Sequence, residues 1–256
     1  MSLHYLCRFG LLTKETALTL ASIDRNNDFK DIERILYESG FTSSKSHAKR
    51  IIFEIKKRIY LKKDYLPDIK YLITAAKTNF NSIIKAQIFF VYLYNSDIYV
   101  SYITDRLGEI FNSNYDNPEI SRESIKNLLK TYLSSNSIKV HKKAVENWIG
   151  RYLSIMREIK ILIRKKNHEY FINFMGIMPE TWYFFALHSY FNKYSLEKSE
   201  FLKSFQLKSS LISKIISIIE NANSKINIRM NTHLENGNIK IDTPYKSIQD
   251  WVVSVK

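Results

Sequence analysis

The sequence is poor in the residues that punctuate β-proteins and in the one that forms disulfides. It has 6 glycines, 4 prolines and 1 cysteine in 256 residues. So few glycines and prolines argue against a β-sandwich or barrel, which needs a tight turn about every ten residues. The single cysteine, Cys7, excludes an internal disulfide and a zinc site built from cysteines. We expect Cys7 to be a buried apolar residue in a reducing compartment.

Motifs of several enzyme classes are also missing from the sequence. It contains neither a GxxxxGK[ST] nor a GxGxxG phosphate-binding loop, and its six histidines show no HExxH or metal-ligand spacing. Nuclease sites need clustered carboxylates, but the acids lie mainly outside the basic segments. We therefore predict no catalytic activity, no metal and no cofactor. A catalytic set assembled from distant residues is the alternative that stays open.

Long apolar runs are absent. The most apolar stretch, Ile83 to Tyr94, is about a dozen residues long and contains Lys85 and Gln87, whereas a membrane-spanning helix needs about 20 apolar residues. We predict that this stretch is a buried core helix. The chain does not open with a basic region followed by an apolar run, as a signal peptide would. We expect a cytoplasmic protein that neither binds a membrane nor acts on a small-molecule substrate.

Hydrophobic residues make up 45% of the chain and aromatic residues 14%, as in a globular protein with a substantial core. Hydrophobic periodicity predicts six helices in the first part: Thr13 to Ser22, Asp28 to Ser39, Ser44 to Leu61, Leu66 to Thr78, Ser82 to Tyr94 and Ile98 to Phe111. The polar stretch from Asn112 to Pro118 then marks the main boundary.

A different organisation follows this boundary. Helical spacing predicts two helices, from Ser121 to Leu133 and from Lys139 to Met156, which are joined by a short polar turn. Composition and alternation predict strands at Ile159 to Ile163 and Tyr170 to Phe174, around a basic tip. The alternative is that Ile159 to Ile163 extends the preceding helix and does not form a strand. Helix, turn, helix and hairpin is the order of a winged helix-turn-helix.

Beyond Pro179 the pattern is again helical. Trp182 to Tyr190 and Leu196 to Ile219 have helical spacing, and Ile226 to Arg229 with Ile239 to Ile241 are compatible with a second small hairpin through Asn236-Gly237. The expected fold is mainly α: an N-terminal helical bundle (1–112), a winged helix-turn-helix with a short β-hairpin (113–178) and a C-terminal helical region (179–256).

The formal net charge is +14, which indicates an anionic partner: nucleic acid, an anionic membrane surface or an acidic protein. Residues 45–63 carry eight bases and one acid, and residues 137–168 carry nine bases and two acids, so each segment has a charge of +7. The rest of the chain sums to zero. A single basic run is also explained by a solvent-exposed helix face. Two runs that together hold the entire excess of positive charge favour anion binding.

The second basic segment has the pattern of a helix that enters the major groove. Val145, Trp148 and Tyr152 belong to a stripe that we predict to be buried. The opposite stripe offers side chains that bind phosphates and base edges. It also contains Gly150, which lets a backbone approach closely. The alternative is that this opposite stripe is simply a solvent-exposed helix face. The predicted DNA-binding residues are Lys139, Lys142, Lys143, Asn147 and Arg151 in this helix, Arg164, Lys165 and Lys166 at the hairpin tip, and Lys45, Lys49, Arg50, Lys56 and Lys57 in the first basic segment.

Five patterned stretches occur in order over roughly Leu11 to Phe191. They are LLTKETALTLA, DIERILYESGFTSSKSHAKRIIFEIKKRI, AQIFFVYLYNSDIYVSYI, SNSIKVHKKAVENWIGRYLSIMREIKIL and MPETWYFFALHSYF. Together they resemble the BrxA-like proteins of BREX phage-defence loci, a family compared with the transcription-antitermination protein NusB.

The resemblance implies a helical protein with a winged-helix part that binds double-stranded DNA, has no catalytic residues and works with other proteins of a phage-restriction system. It assigns DNA contact to the helix Lys139 to Met156 and to a wing at Arg164 to His168. The segment after Asn192 is longer than the family shows, so its role stays open. Two alternatives remain: an RNA-binding, antitermination-like module that uses mainly Lys45 to Lys63, and a scaffold whose basic faces meet an acidic protein.

Overall fold

The computed structural model describes residues 11–114, 118–226, 230–235 and 238–254. Within these ranges the chain forms 12 α-helices and two small antiparallel sheets. The prediction of a mainly α fold is therefore confirmed. Cys7, which the sequence predicts to be buried, lies outside the described residues.

Six helices form the first part of the chain: α1 (Thr13–Asp24), α2 (Phe29–Glu38), α3 (Lys45–Ile59), α4 (Ile69–Lys77), α5 (Ser82–Ser96) and α6 (Ile98–Ser113). They match the six predicted helices. Helices α2 to α6 each begin after an Asp, Ser or Asn whose side chain accepts a hydrogen bond from a backbone N–H of the first turn. Such caps satisfy donors that the helix itself leaves unpaired.

Helix α5 is the predicted core helix, and its polar residue Gln87 is fully buried. The Gln87 side-chain amide donates hydrogen bonds to the carbonyl oxygens of Ile159 (3.0 Å) and Gly176 (2.9 Å) and accepts one from the backbone N–H of Met178 (2.9 Å). These three partners lie before and after residues 162–172, which form the hairpin described below. Gln87 therefore attaches the base of the hairpin to the bundle.

The middle part consists of β1 (Glu119–Ser121), α7 (Arg122–Ser135), α8 (Lys142–Glu158), β2 (Leu162–Arg164) and β3 (Glu169–Ile172). The strands form one antiparallel sheet in the order β1-β3-β2, with Tyr170 paired to Ile120 on one side and to Arg164 on the other. The predicted hairpin is thus present, but its first strand begins at Leu162 and not at Ile159, which is the C-cap residue of α8. Strand β1 was not expected from the sequence, because three residues are too few for alternation to be visible.

The two ends of α8 test the predicted start of this helix and the alternative that it continues into the hairpin. The helix begins at Lys142, so the expectation that Lys139 lies within it is wrong. Ser137 has a φ of +53°, which interrupts helical geometry just before this point. At the other end α8 stops at Glu158, and Lys160 has a φ of +64°. The alternative of a helix that continues through Ile163 is therefore wrong.

The C-terminal part contains α9 (Pro179–Phe191), a short 3-10 helix (Leu196–Lys198), α10 (Glu200–Ser204), α11 (Ser209–Ile226), β4 (Asn231–Glu235), β5 (Asn238–Asp242) and α12 (Ile248–Ser254). The stretch from Leu196 to Ile219 is helical as predicted, but it consists of several helices and not of one. It is divided because Ser199 caps a new helix by accepting from the N–H of Phe201, and because Gln206 has a φ of +54°.

The second small hairpin is present, with its second strand, β5, where it was predicted and its first strand later in the chain. Its first strand is β4, and Ile226 instead ends α11. The turn residues Asn236-Gly237 and residues 227–229 lie outside the described part of the chain.

Residues from all three predicted regions pack into one hydrophobic core. Ring pairs that join distant elements include Phe111 with Phe174 (5.6 Å between centroids) and Phe80 with Trp251 (5.7 Å). The bundle, the middle part and the C-terminal part therefore share packing interactions. No helix in the described residues is long and apolar enough to cross a bilayer.

Candidate nucleic-acid interface

The inner face of α8 is buried as predicted. Val145, Trp148, Ile149, Tyr152 and Met156 all lie in the core. The rings of Trp148 and Tyr152 stack at 5.0 Å with an interplanar angle of 10°, and the Tyr152 hydroxyl is 3.1 Å from Oγ1 of Thr104 in α6. Because this face is held against α6, the rotation of α8 about its own axis is set and the opposite face points outward.

That outward face contains the residues the sequence singled out. Lys142, Lys143 and Asn147 are exposed, and Arg151 is half-buried. A Cβ built on Gly150 would meet no atom within 4 Å. Packing inside the protein therefore does not require glycine at this position, and the space beside it is open to a ligand. Lys139 is also exposed, in the connection that precedes the helix.

The start of α8 is unusual among the helices described. Its N-cap residue, His141, makes no side-chain capping hydrogen bond, and the first turn contains Lys142 and Lys143 but no acid. The positive end of a helix dipole disfavours cations and favours anions. A phosphate bound here would pair with the two lysines and with unsatisfied backbone N–H groups. Helix α7, by contrast, is capped by the Ser121 hydroxyl.

Helices α7 and α8 are joined by an ion-pair cluster that the sequence did not predict. Glu146 of α8 contacts Lys126 Nζ at 2.7 Å and Arg122 Nη2 at 3.1 Å. Hydrogen bonds from Lys126 and then Arg122 hold the pKa of the Glu146 carboxyl below its usual range. This carboxylate of α8 thus meets two cations of α7. The other acid of the segment, Glu158, accepts a hydrogen bond from Thr13 Oγ1 at 2.5 Å.

The hairpin tip is exposed and positively charged, as predicted, but one of its three cations has an acidic partner. Arg164, Lys165 and Lys166 are all exposed. Lys165 forms an ion pair with Glu119 of β1. The backbone N–H of Arg122 also donates to the carbonyl oxygen of His168 (3.0 Å). The tip is therefore attached to the start of α7, and its orientation relative to α7 is constrained.

The first basic segment lies on α3, a different element. Lys45, Lys49, Arg50 and Lys57 are exposed there, whereas Lys56 is half-buried, with its Nζ 3.5 Å from the centroid of the Phe29 ring. The opposite face of α3 is buried: Ala48, Ile51, Ile52, Ile55 and Ile59. Two exposed aromatic residues, Phe53 in this helix and Tyr60 at its C-cap, were not predicted as functional. Their positions outside the apolar stripe are the signal that would have identified them.

The described residues contain no group of three or more His, Cys, Asp or Glu side chains that could hold a metal ion. His188 illustrates how the buried polar residues are used. Its Nδ1 lies 2.7 Å from the Tyr194 hydroxyl, and burial lowers the pKa of His188 to about 4. The ring is therefore neutral at physiological pH and acts as a hydrogen-bonding part of the core.

No family model, no curated protein and no solved structure matches the chain. The function proposed below therefore depends on the exposed residues of α8, the hairpin and α3 and on the charge they carry.

Proposed function

We propose that this chain is a non-catalytic protein that binds double-stranded DNA through a winged helix-turn-helix. Strand β1, helices α7 and α8 and the β2–β3 hairpin are its parts. The main support is the placement of charge: a basic helix face and a basic hairpin tip project from one small unit whose inner surfaces are buried. Helices α7 and α8 and the β2–β3 hairpin follow one another in the helix, turn, helix and hairpin order on which the proposal of a winged helix-turn-helix rests.

In this proposal α8 lies in the major groove. Lys142 and Lys143 contact phosphates near its N-terminus, Asn147 faces base edges, and the DNA comes close at Gly150. The hairpin tip contacts the phosphate backbone beside this groove. Most of these contacts are to phosphates, which carry no sequence information, so we expect binding to be largely independent of sequence.

We further propose that the protein serves in a multi-protein phage-defence system of the BREX type, as the resemblance to BrxA-like proteins implies. The support is the run of patterned stretches over roughly Leu11 to Phe191. The role proposed is to hold DNA in an assembly, with other proteins of that system as partners.

Replacing Lys142, Lys143 and Arg151 together with alanine should weaken binding to a random duplex at least about tenfold. One charged hydrogen bond contributes about 1.5 kcal/mol or more, and 1.4 kcal/mol is a factor of ten in affinity. A mobility-shift titration at constant salt measures the change. The matched control replaces three exposed lysines outside the basic segments, Lys30, Lys208 and Lys246, which removes equal charge. If the α8 variant and this control bind DNA equally, α8 does not contact it.

Two changes at the hairpin should act in opposite directions. Changing Arg164, Lys165 and Lys166 to serine removes cations that bind phosphates, so every duplex should bind more weakly and the salt slope should fall by about one for each phosphate no longer bound. Because Lys165 is paired with Glu119, we expect a fall nearer to two than to three. Glu119→Gln releases Lys165 and should strengthen binding.

Fluorescence anisotropy with two unrelated duplexes, repeated at several salt concentrations, measures both effects. An unchanged slope in the serine variant would refute the hairpin's role as a wing and leave only the helix-turn-helix of α7 and α8 from the proposed DNA-binding unit.

A further inference from the structure

Exposed aromatic side chains are concentrated in one part of the molecule. Six are exposed in the described part of the chain, and four of them lie within residues 37–60: Tyr37, Phe41, Phe53 and Tyr60. This stretch includes most of the first basic segment. Large rings in water do nothing to stabilise a core, and a cluster of them beside positive charge is a feature of binding surfaces.

On α3 the rings and cations form one line. Lys49, Phe53 and Lys57 follow each other at intervals of four residues, which places them on the same side of α3. Tyr60, the C-cap residue, comes three residues later and continues this line. At 1.5 Å per residue the line is about 16 Å long. Phe53 is 60% exposed and Tyr60 is 51% exposed. Arg50 flanks this line, and we call these five residues the aromatic–basic face.

Residues 45–63 add no exposed acid to this face, and packing keeps its rings outward. The only acid among residues 45–63, Glu54, is buried. The isoleucine stripe on the other side of α3 is packed in the core, so α3 is not free to rotate the rings inward. Tyr60 also meets the edge of the Phe29 ring at 6.2 Å, and Lys56 lies over that ring. These contacts hold Tyr60 in place.

We propose that the aromatic–basic face binds single-stranded DNA, with bases stacked on Phe53 and Tyr60 and phosphates bound by Lys49, Arg50 and Lys57. A duplex keeps the faces of its bases stacked inside, so exposed rings gain little from it, whereas a single strand offers those faces. Alternating rings and cations along a groove or face is the usual arrangement of single-strand binding sites. The choice of DNA over RNA rests on the proposed duplex-binding function, while the choice of a single strand rests on the rings alone.

Replacing Phe53 and Tyr60 together with serine tests the proposal. Both side chains are exposed, so the variant keeps the core intact. Loss of one stacked base changes affinity about tenfold to a hundredfold. The affinity for a labelled oligo(dT) of about 12 nucleotides, a length within the usual site sizes, should fall at least about tenfold in an anisotropy titration. Affinity for a random duplex should stay within about twofold. The control Tyr190→Ser removes an exposed ring outside the basic segments and should change neither affinity.

Further binding experiments distinguish the aromatic–basic face from the proposed duplex-binding site on α8 and the hairpin. The Lys142, Lys143 and Arg151 alanine variant should keep its oligo(dT) affinity; an equal loss for oligo(dT) and duplex would place the single strand on α8 and overturn the proposal. It is also overturned if the wild-type protein fails to bind oligo(dT) at low salt, or if the serine variant binds it normally. Preference for oligo(U) by tenfold or more would overturn the assignment to DNA. If the protein binds oligo(dT) through these rings but does not bind duplex DNA, the single-strand site is supported and the proposed function is refuted.

Discussion

Raising the salt concentration from 50 to 200 mM should weaken binding to a random duplex about a thousandfold. The proposed interface places cations on α8 and at the hairpin tip, and we expect them to neutralise about six phosphates. Each neutralised phosphate releases condensed counterions, so the logarithm of the affinity falls with the logarithm of the salt concentration at a slope of about −0.9 per phosphate. Six phosphates give a slope near −5, and a fourfold rise in salt then has the stated effect.

Anisotropy titrations at four or more salt concentrations between these limits measure the slope. Two duplexes of different sequence should give the same line, because phosphates rather than bases supply the affinity. The alanine variant of Lys142, Lys143 and Arg151 is the internal control and should have a slope about three units shallower. An affinity that stays constant over the range would contradict an electrostatic interface, whatever the sequence of the duplex.

The sequence predicted best where a helix has one buried and one polar face. On α8 the apolar positions repeat with the period of a helix, so the stripe through Val145, Trp148 and Tyr152 was identified correctly. The exposed cations follow from the same periodicity, since residues opposite a buried stripe face solvent. The approximate positions of the helices and the existence of the first hairpin were predictable for this reason.

Pairings between distant residues were not predictable, because they leave no periodic signal. Strand β1 exists through its pairing with β3, and its Glu119 then meets Lys165 at the hairpin tip. The Glu146 cluster likewise depends on the angle between α7 and α8. Each of these ion pairs changes the charge available to a ligand. A count of basic residues therefore overestimates what the hairpin tip offers to DNA.

Gln87 is the clearest case of a residue whose role depends on distant partners. In the sequence it is only a polar interruption of an apolar stretch. In the fold it is fully buried in α5 and makes three hydrogen bonds to the backbone before and after the hairpin. A buried amide group without partners is costly, and the three bonds account for its presence in the core.

Gln87→Ala should lower the free energy of unfolding by about 3 kcal/mol or more. The change leaves two carbonyl oxygens and one N–H without their partner, and each unsatisfied buried group costs about 1–3 kcal/mol, in addition to the cavity left behind. Denaturant unfolding followed by circular dichroism measures the loss, and Gln249→Ala, at an exposed position of α12, is the control. Because the missing bonds flank the hairpin, amide exchange in β2 and β3 should accelerate before exchange in α5. A loss below about 1 kcal/mol, the net contribution of a single ordinary hydrogen bond, would mean that Gln87 does not attach the hairpin to the bundle.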